Sequence, residues 1–89
     1  MTDHIFRYEV PVDDRPHTLR LSGLPVLHVG CRKAEMVELW VMDCGDPPIE
    51  RTFQVVGTGH PLPDGWVGHW GTAITPSGQL VWHLLEVAR

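Results

Sequence analysis

Residues that interrupt regular structure recur about every 8–12 positions along this chain, and they restrict it to short strands. Proline cannot continue a helix or donate to a sheet ladder, and Gly, Asp and Ser beside it favour reversals. Pro11, Pro16, Pro25, the Pro47-Pro48 pair, Pro61, Pro63 and Pro76 therefore mark where extended segments must end.

Between these breaks the side chains alternate. His4–Val10 places Phe6, Tyr8 and Val10 on one face and Ile5, Arg7 and Glu9 on the other, the period-two pattern of a strand. The turn chemistry of Val12-Asp13-Asp14-Arg15-Pro16 follows, then a short strand His17–Leu21, a break at Ser22-Gly23, and a strand Val26–Cys31. Met36–Met42 is an almost continuous apolar run of seven residues, rich in Val and Trp. Its length favours a central strand buried on both faces, although Ala34–Trp40 also offers good helix formers. Arg51–Val56 is expected to be a strand with Phe53 and Val55 facing one way. Val67–Thr75 and Gln79–Val87 are expected to be two more strands, joined by the turn Pro76-Ser77-Gly78. The expected fold is all-β, with at most one short helix: a single domain over residues 1–89, built as a small antiparallel sandwich or barrel of six to seven short strands. Several strands carry apolar residues on both faces, and a chain this short has a modest core, so a homo-oligomer is expected.

Charge removes one class of partner. Seven Lys and Arg stand against eleven Asp and Glu, a net charge of −4, so the basic footprint of a duplex nucleic-acid binder is missing. No apolar run approaches the roughly 20 residues of a membrane helix. Cys31 and Cys44 lack a CxxC spacing and no secretory pattern precedes them, so reduced thiols in a cytosolic protein are expected.

The stretch Arg51–Thr72, RTFQVVGTGHPLPDGWVGHWGT, concentrates the residues that could form a site. Gly57-Thr58-Gly59-His60 can present backbone N–H groups to an anion, although it is neither a P-loop nor a dinucleotide fingerprint, and a bulged strand end would read the same way. His60, His69 and His83 could supply imidazoles to a metal, with His69 and His83 as cross-strand neighbours. The absence of HxH or HxxxH spacing and of a suitably placed acid argues against such a centre, and His83 reads as a hydrogen-bonded structural histidine. Trp66, placed by the pattern in the loop, could stack on a base, whereas Trp40, Trp70 and Trp82 read as core or interface anchors. Neither cysteine has a local activating partner, and Asp43 and Asp46 read as turn residues, so no catalytic set emerges. The candidate ligand-binding residues are Arg51, Thr58, Gly59, His60, Trp66 and His69, with no metal and no cofactor.

The blocks Arg51–Pro63 and Gly71–Glu86, together with Phe6-Arg7-Tyr8-Glu9-Val10-Pro11, resemble a family of small proteins encoded by bacteriophages and by the bacterial genomes that carry them. Its members share a GTGHxxP loop and an LVWHxxE strand, matched here at Gly57–Pro63 and Leu80–Glu86. The resemblance brings no catalytic residues. It implies a phage accessory protein made in the host cell cytoplasm and directed at the host. Two functional expectations follow: sequestration of a nucleotide-type signalling molecule of bacterial defence, or docking on a host or virion protein without a small ligand. A metal-dependent hydrolase is the enzymatic alternative.

Overall fold

In the computed structural model, which describes residues 3–22 and 25–88, seven strands form two antiparallel sheets, with no helix among the described residues. The strands are β1 (His4–Pro11), β2 (His17–Leu21), β3 (Val26–Lys33), β4 (Met36–Asp43), β5 (Ile49–Gly57), β6 (Trp66–Ile74) and β7 (Val81–Val87). One sheet has the order β1-β4-β3 and the other β2-β5-β7-β6. The all-β expectation holds as an open sandwich, not a closed barrel. Of the expected break at Ser22-Gly23, Ser22 ends the described segment after β2, and Gly23 lies outside the described residues.

The helical alternative at Ala34–Trp40 is overturned. Ala34-Glu35 forms the tight turn between β3 and β4, and β4 pairs along its length with β1. Intrinsic helix propensity loses here because alternation decides the burial of this segment: Val37, Leu39 and Val41 go into the core. The opposite face of β4 is closed differently from expectation. Glu38, only 3% exposed, is covered by the guanidinium groups of Arg7 and Arg32, not by an apolar layer.

Between the sheets, Val10, Val29, Leu39, Phe53, Val55 and Leu84 pack into one core, with Tyr8, Trp70 and Trp82 at its margins. β3 faces β6 across this core. Their approach is close enough that a Cβ at Gly71 would stand 2.6 Å from Val29 Cγ2. Pro76-Ser77-Gly78 forms the expected turn, with Gly78 at φ 78° and its N–H donating to the Thr75 carbonyl at 2.8 Å. Cys31 and Cys44 are free thiols.

Candidate functional site

Strand order explains what the Gly- and Pro-rich segment does. β7 lies between β5 and β6, so β5 and β6 run parallel and the segment 58–65 must return along the sheet. It leaves β5 where Gly57 pairs with Trp82 and enters β6 where Trp66 pairs with Val87, a span of roughly 17 Å at ~3.3 Å per residue. The crossing covers Val56 and Leu85, which are buried although they do not belong to the core between the sheets. Two turns frame it. His60 N–H donates to the Gly57 carbonyl at 3.1 Å with Gly59 at φ 87°, and Trp66 N–H donates to the Pro63 carbonyl at 3.4 Å with Gly65 at φ 75°. Each places glycine at the third position, where a type II turn needs positive φ.

Under the crossing lies an open cleft of about 280 Å³, lined by Val56, Gly57, Thr58, Gly59, His60, Leu62, His69, His83 and Leu85. Two neighbouring clefts of about 410 and 250 Å³ adjoin it, and His60 lines all three. The His60 ring is seated against Gly57, where a Cβ would stand 3.1 Å from its Nδ1 and 3.1 Å from the Trp82 ring.

The polar wall of the cleft is a connected set. His69 Nε2 lies 3.2 Å from His83 Nδ1, and Thr72 Oγ1 lies 3.4 and 3.1 Å from these two nitrogens. His83 Nε2 is 2.8 Å from Thr58 Oγ1. His69 reaches this wall through an irregularity of β6. The ladder places Thr72 opposite His83 and Gly71 opposite Leu84, then skips Trp70 so that His69 stands opposite Leu85. Without that bulge, His69 would face the core and Trp70 the cleft, because a one-residue slip exchanges the faces of a strand.

Thr58, Gly59, His60 and His69, four of the six residues expected from the sequence, meet in this cleft. Arg51 does not join them. It lies six residues from Gly57 on β5, roughly 20 Å away. There it is 5% exposed and makes a bidentate ion pair with Glu86 at 2.9 and 2.7 Å. Trp70 Nε1 also donates to Glu86 at 2.8 Å, and the Arg51 guanidinium stacks 5.3 Å from the Trp70 ring centroid. Arg51, above all, holds the Glu86 carboxyl below its ordinary pKa, opposed by burial and assisted by Trp70. This is a structural pair at one end of the core. Trp66 begins β6 instead of sitting in a loop; it is 46% exposed and outside the wall of the cleft.

Thr72 was missed as a site residue, and His83, weighed with His60 and His69, was set aside as a structural histidine. The signal was available: counting outward from the Pro76-Ser77-Gly78 turn pairs them. The thiols contribute nothing to the cleft. Desolvation first, then Glu38, pushes the Cys31 thiol up, and desolvation likewise raises Cys44, the reverse of an activated nucleophile. No group of three His, Cys, Asp or Glu side chains among the described residues is arranged to hold a metal. No helix among the described residues is long and apolar enough to cross a membrane.

No curated protein and no solved structure matches this chain. The profile of a domain of unknown function, DUF7352, matches residues 1–89, and the chain belongs to that family.

Proposed function

We propose that this protein works by binding, as a homo-oligomer, and that the cleft beneath the 58–65 crossing holds a small anionic ligand of nucleotide type. One observation carries the reading: Thr58, His60, His69 and His83 converge with the apolar Val56, Leu62 and Leu85 on one open cleft. A few convergent polar groups on an apolar floor are the usual make-up of a small-molecule site. At about 280 Å³ the cleft is at the small end for such sites, so it suits a mononucleotide or one end of a larger ligand. Imidazole N–H, threonine hydroxyl and the backbone around Gly59 are donors suited to phosphate oxygens. The raised thiol pKa values and the absence of a carboxylate from the cleft support holding over transforming.

The resemblance to phage-encoded proteins supports a host-directed role in the bacterial cytoplasm, with sequestration of a defence nucleotide as the specific form. Trp66, outside the cleft of its own chain, serves this reading as a stacking residue or as a contact between copies. A thermal-shift screen with linear and cyclic nucleotides tests it. The expected outcome is a rise in Tm with at least one of them that is lost in His60→Ala. No shift with any member sinks the ligand, and a strictly monomeric native mass sinks the oligomer.

A second reading is a docking module for a host or virion protein. Ile5, Ile49, Val67, Ile74 and Leu80 are each more than half exposed, and exposed apolar area of this kind supports partner binding. It predicts capture of one defined protein and an unchanged Tm with every nucleotide.

A further inference from the structure

His69 Nε2 and His83 Nδ1 face each other at 3.2 Å, and a nitrogen pair at that separation is joined by one hydrogen, which either ring can supply. A hydrogen on both nitrogens would set N–H against N–H, and two imidazolium charges so close would repel. The pair therefore has room for one positive charge and not for two, whichever tautomer the neutral rings adopt.

That single charge also decides the far side of His83. With one extra proton on the pair, both outer nitrogens carry hydrogen wherever the shared one sits. His83 Nε2 must then donate to Thr58 Oγ1, 2.8 Å away, and the Thr58 hydroxyl hydrogen is free to turn to another acceptor.

Little opposes or replaces this charge. Among the described residues, no Asp, Glu, Arg or Lys lines the cleft, and the other side chains around the pair are Val56 of β5, His60 and Leu62 of the crossing, Thr72 of β6 and Leu85 of β7. Asp14 and Asp64 line the neighbouring cleft, which the pair does not share. Glu86 of β7 is turned away to Arg51 and Trp70. An anion entering here meets no permanent cation, only imidazoles that can become one.

We propose that the His69–His83 pair is the anion end of the cleft: it takes up a single proton as an oxyanion of phosphoryl type binds, and it holds that group together with the Thr58 hydroxyl. The inference rests on the anionic part of the ligand reading and names which wall takes the charge. The bound form carries one more proton than the free form. Binding therefore tightens as the pH falls through about 8 to 5, where histidine changes charge.

Inorganic sulfate is the probe, because it mimics a phosphoryl group and keeps its own charge throughout that range. The full chain is titrated at constant ionic strength over a series of pH values, with amide and imidazole nitrogen shifts as the readout. The affinity is expected to rise by up to about tenfold per pH unit on acidification, the slope of one linked proton. In the parent chain His69 and His83 should titrate together in one step, which requires no variant to fold. His69→Gln with His83→Gln in one chain should abolish the slope, whereas His60→Gln, His4→Gln and His28→Gln should each retain it. Sulfate bound in this way with no Tm shift from any nucleotide supports the anion end and sinks the nucleotide alone. Absence of sulfate binding at every pH overturns the proposal, and if a nucleotide still raises Tm the cleft holds it by other contacts. Affinity independent of pH, a slope that survives in the double variant, or two separate protonations of the pair overturns it equally.

Discussion

Val29 of β3 occupies the space in which a side chain on Gly71 of β6 would begin, with its Cγ2 2.6 Å and its Cβ 2.8 Å from the ideal Cβ position. The two sheets approach closely there, and one of the atoms in the way, the Val29 Cβ, is fixed to the backbone of the opposing strand. Gly71→Ala is therefore expected to force the sheets apart locally. Overpacking of this kind costs about 1–3 kcal/mol, and each kcal/mol lowers Tm by roughly 4–8 °C in a domain of this size. Urea denaturation measures it. Val29→Ala in the same chain should restore part of the loss, and additive losses in the double variant would place the cost elsewhere.

Arg51 and Glu86 make a second inter-strand relationship that matters for stability more than for binding. With Arg51 5% exposed, Arg51→Met leaves Glu86 and Trp70 beside an apolar side chain. Breaking one partner of such a buried pair costs about 3–5 kcal/mol. The expected signature is a large drop in the denaturation midpoint with no change in the chemical shifts of His60, His69 and His83 in the folded protein. A variant of full stability that had lost only ligand binding would return Arg51 to the site.

Acid should loosen the three-stranded sheet. Hydrogen bonding by Arg32, and less by Arg7, pulls the Glu38 carboxyl from the ordinary 4.5 down to about 2 against the opposing effect of burial. A carboxylate with a lowered pKa binds protons more readily in the unfolded chain, so its contribution is complete above about 4.5. It is lost as the pH falls toward about 2. Stability measured between these values should fall less steeply in Glu38→Gln than in the parent. Arg7 and Arg32 are 43% and 67% exposed, so 1 M salt should also weaken the contribution. Parallel pH profiles for the two proteins would contradict this.

Gly57, at the end of β5, and Gly59, within the crossing, are needed for different reasons. Around Gly59 there is open space, but its φ of 87° lies in the left-handed region. Gly59→Ala should thus cost about 1–2 kcal/mol through backbone strain. Gly57 has an ordinary φ, and a methyl group there meets the His60 ring at 3.1 and 3.2 Å and the Trp82 ring at 3.1 Å. Gly57→Ala is expected to shift His60 with a smaller loss of stability. Chemical-shift changes at His60 larger than those at His69 would identify that movement.

Much of the scaffold was legible in the chain itself. The alternation of His4–Val10 and Leu80–Leu85, the Pro47-Pro48 stop and the Pro76-Ser77-Gly78 turn act locally, through side-chain direction and backbone dihedrals. They appear in the strands and connections as expected. Local reading failed where distant segments decide. Nothing within Ala34–Trp40 reveals that β1 will pair with it, and nothing beside Arg51 reveals that Glu86 will be its partner.

Within Arg51–Thr72, the sequence by itself determined a strand, a Gly- and Pro-fixed connection and a second strand, because those residues restrict their own φ and ψ. Only the tertiary structure decided that β7 would insert between the two strands and send the connection across the sheet's outer face. One skipped residue in the β6–β7 ladder then turned Trp70 to Glu86 and His69 to His83. The physical reason is that a strand's side chains alternate strictly, so a single unpaired residue exchanges core and surface for everything beyond it, and pairing register is set between strands, not within one.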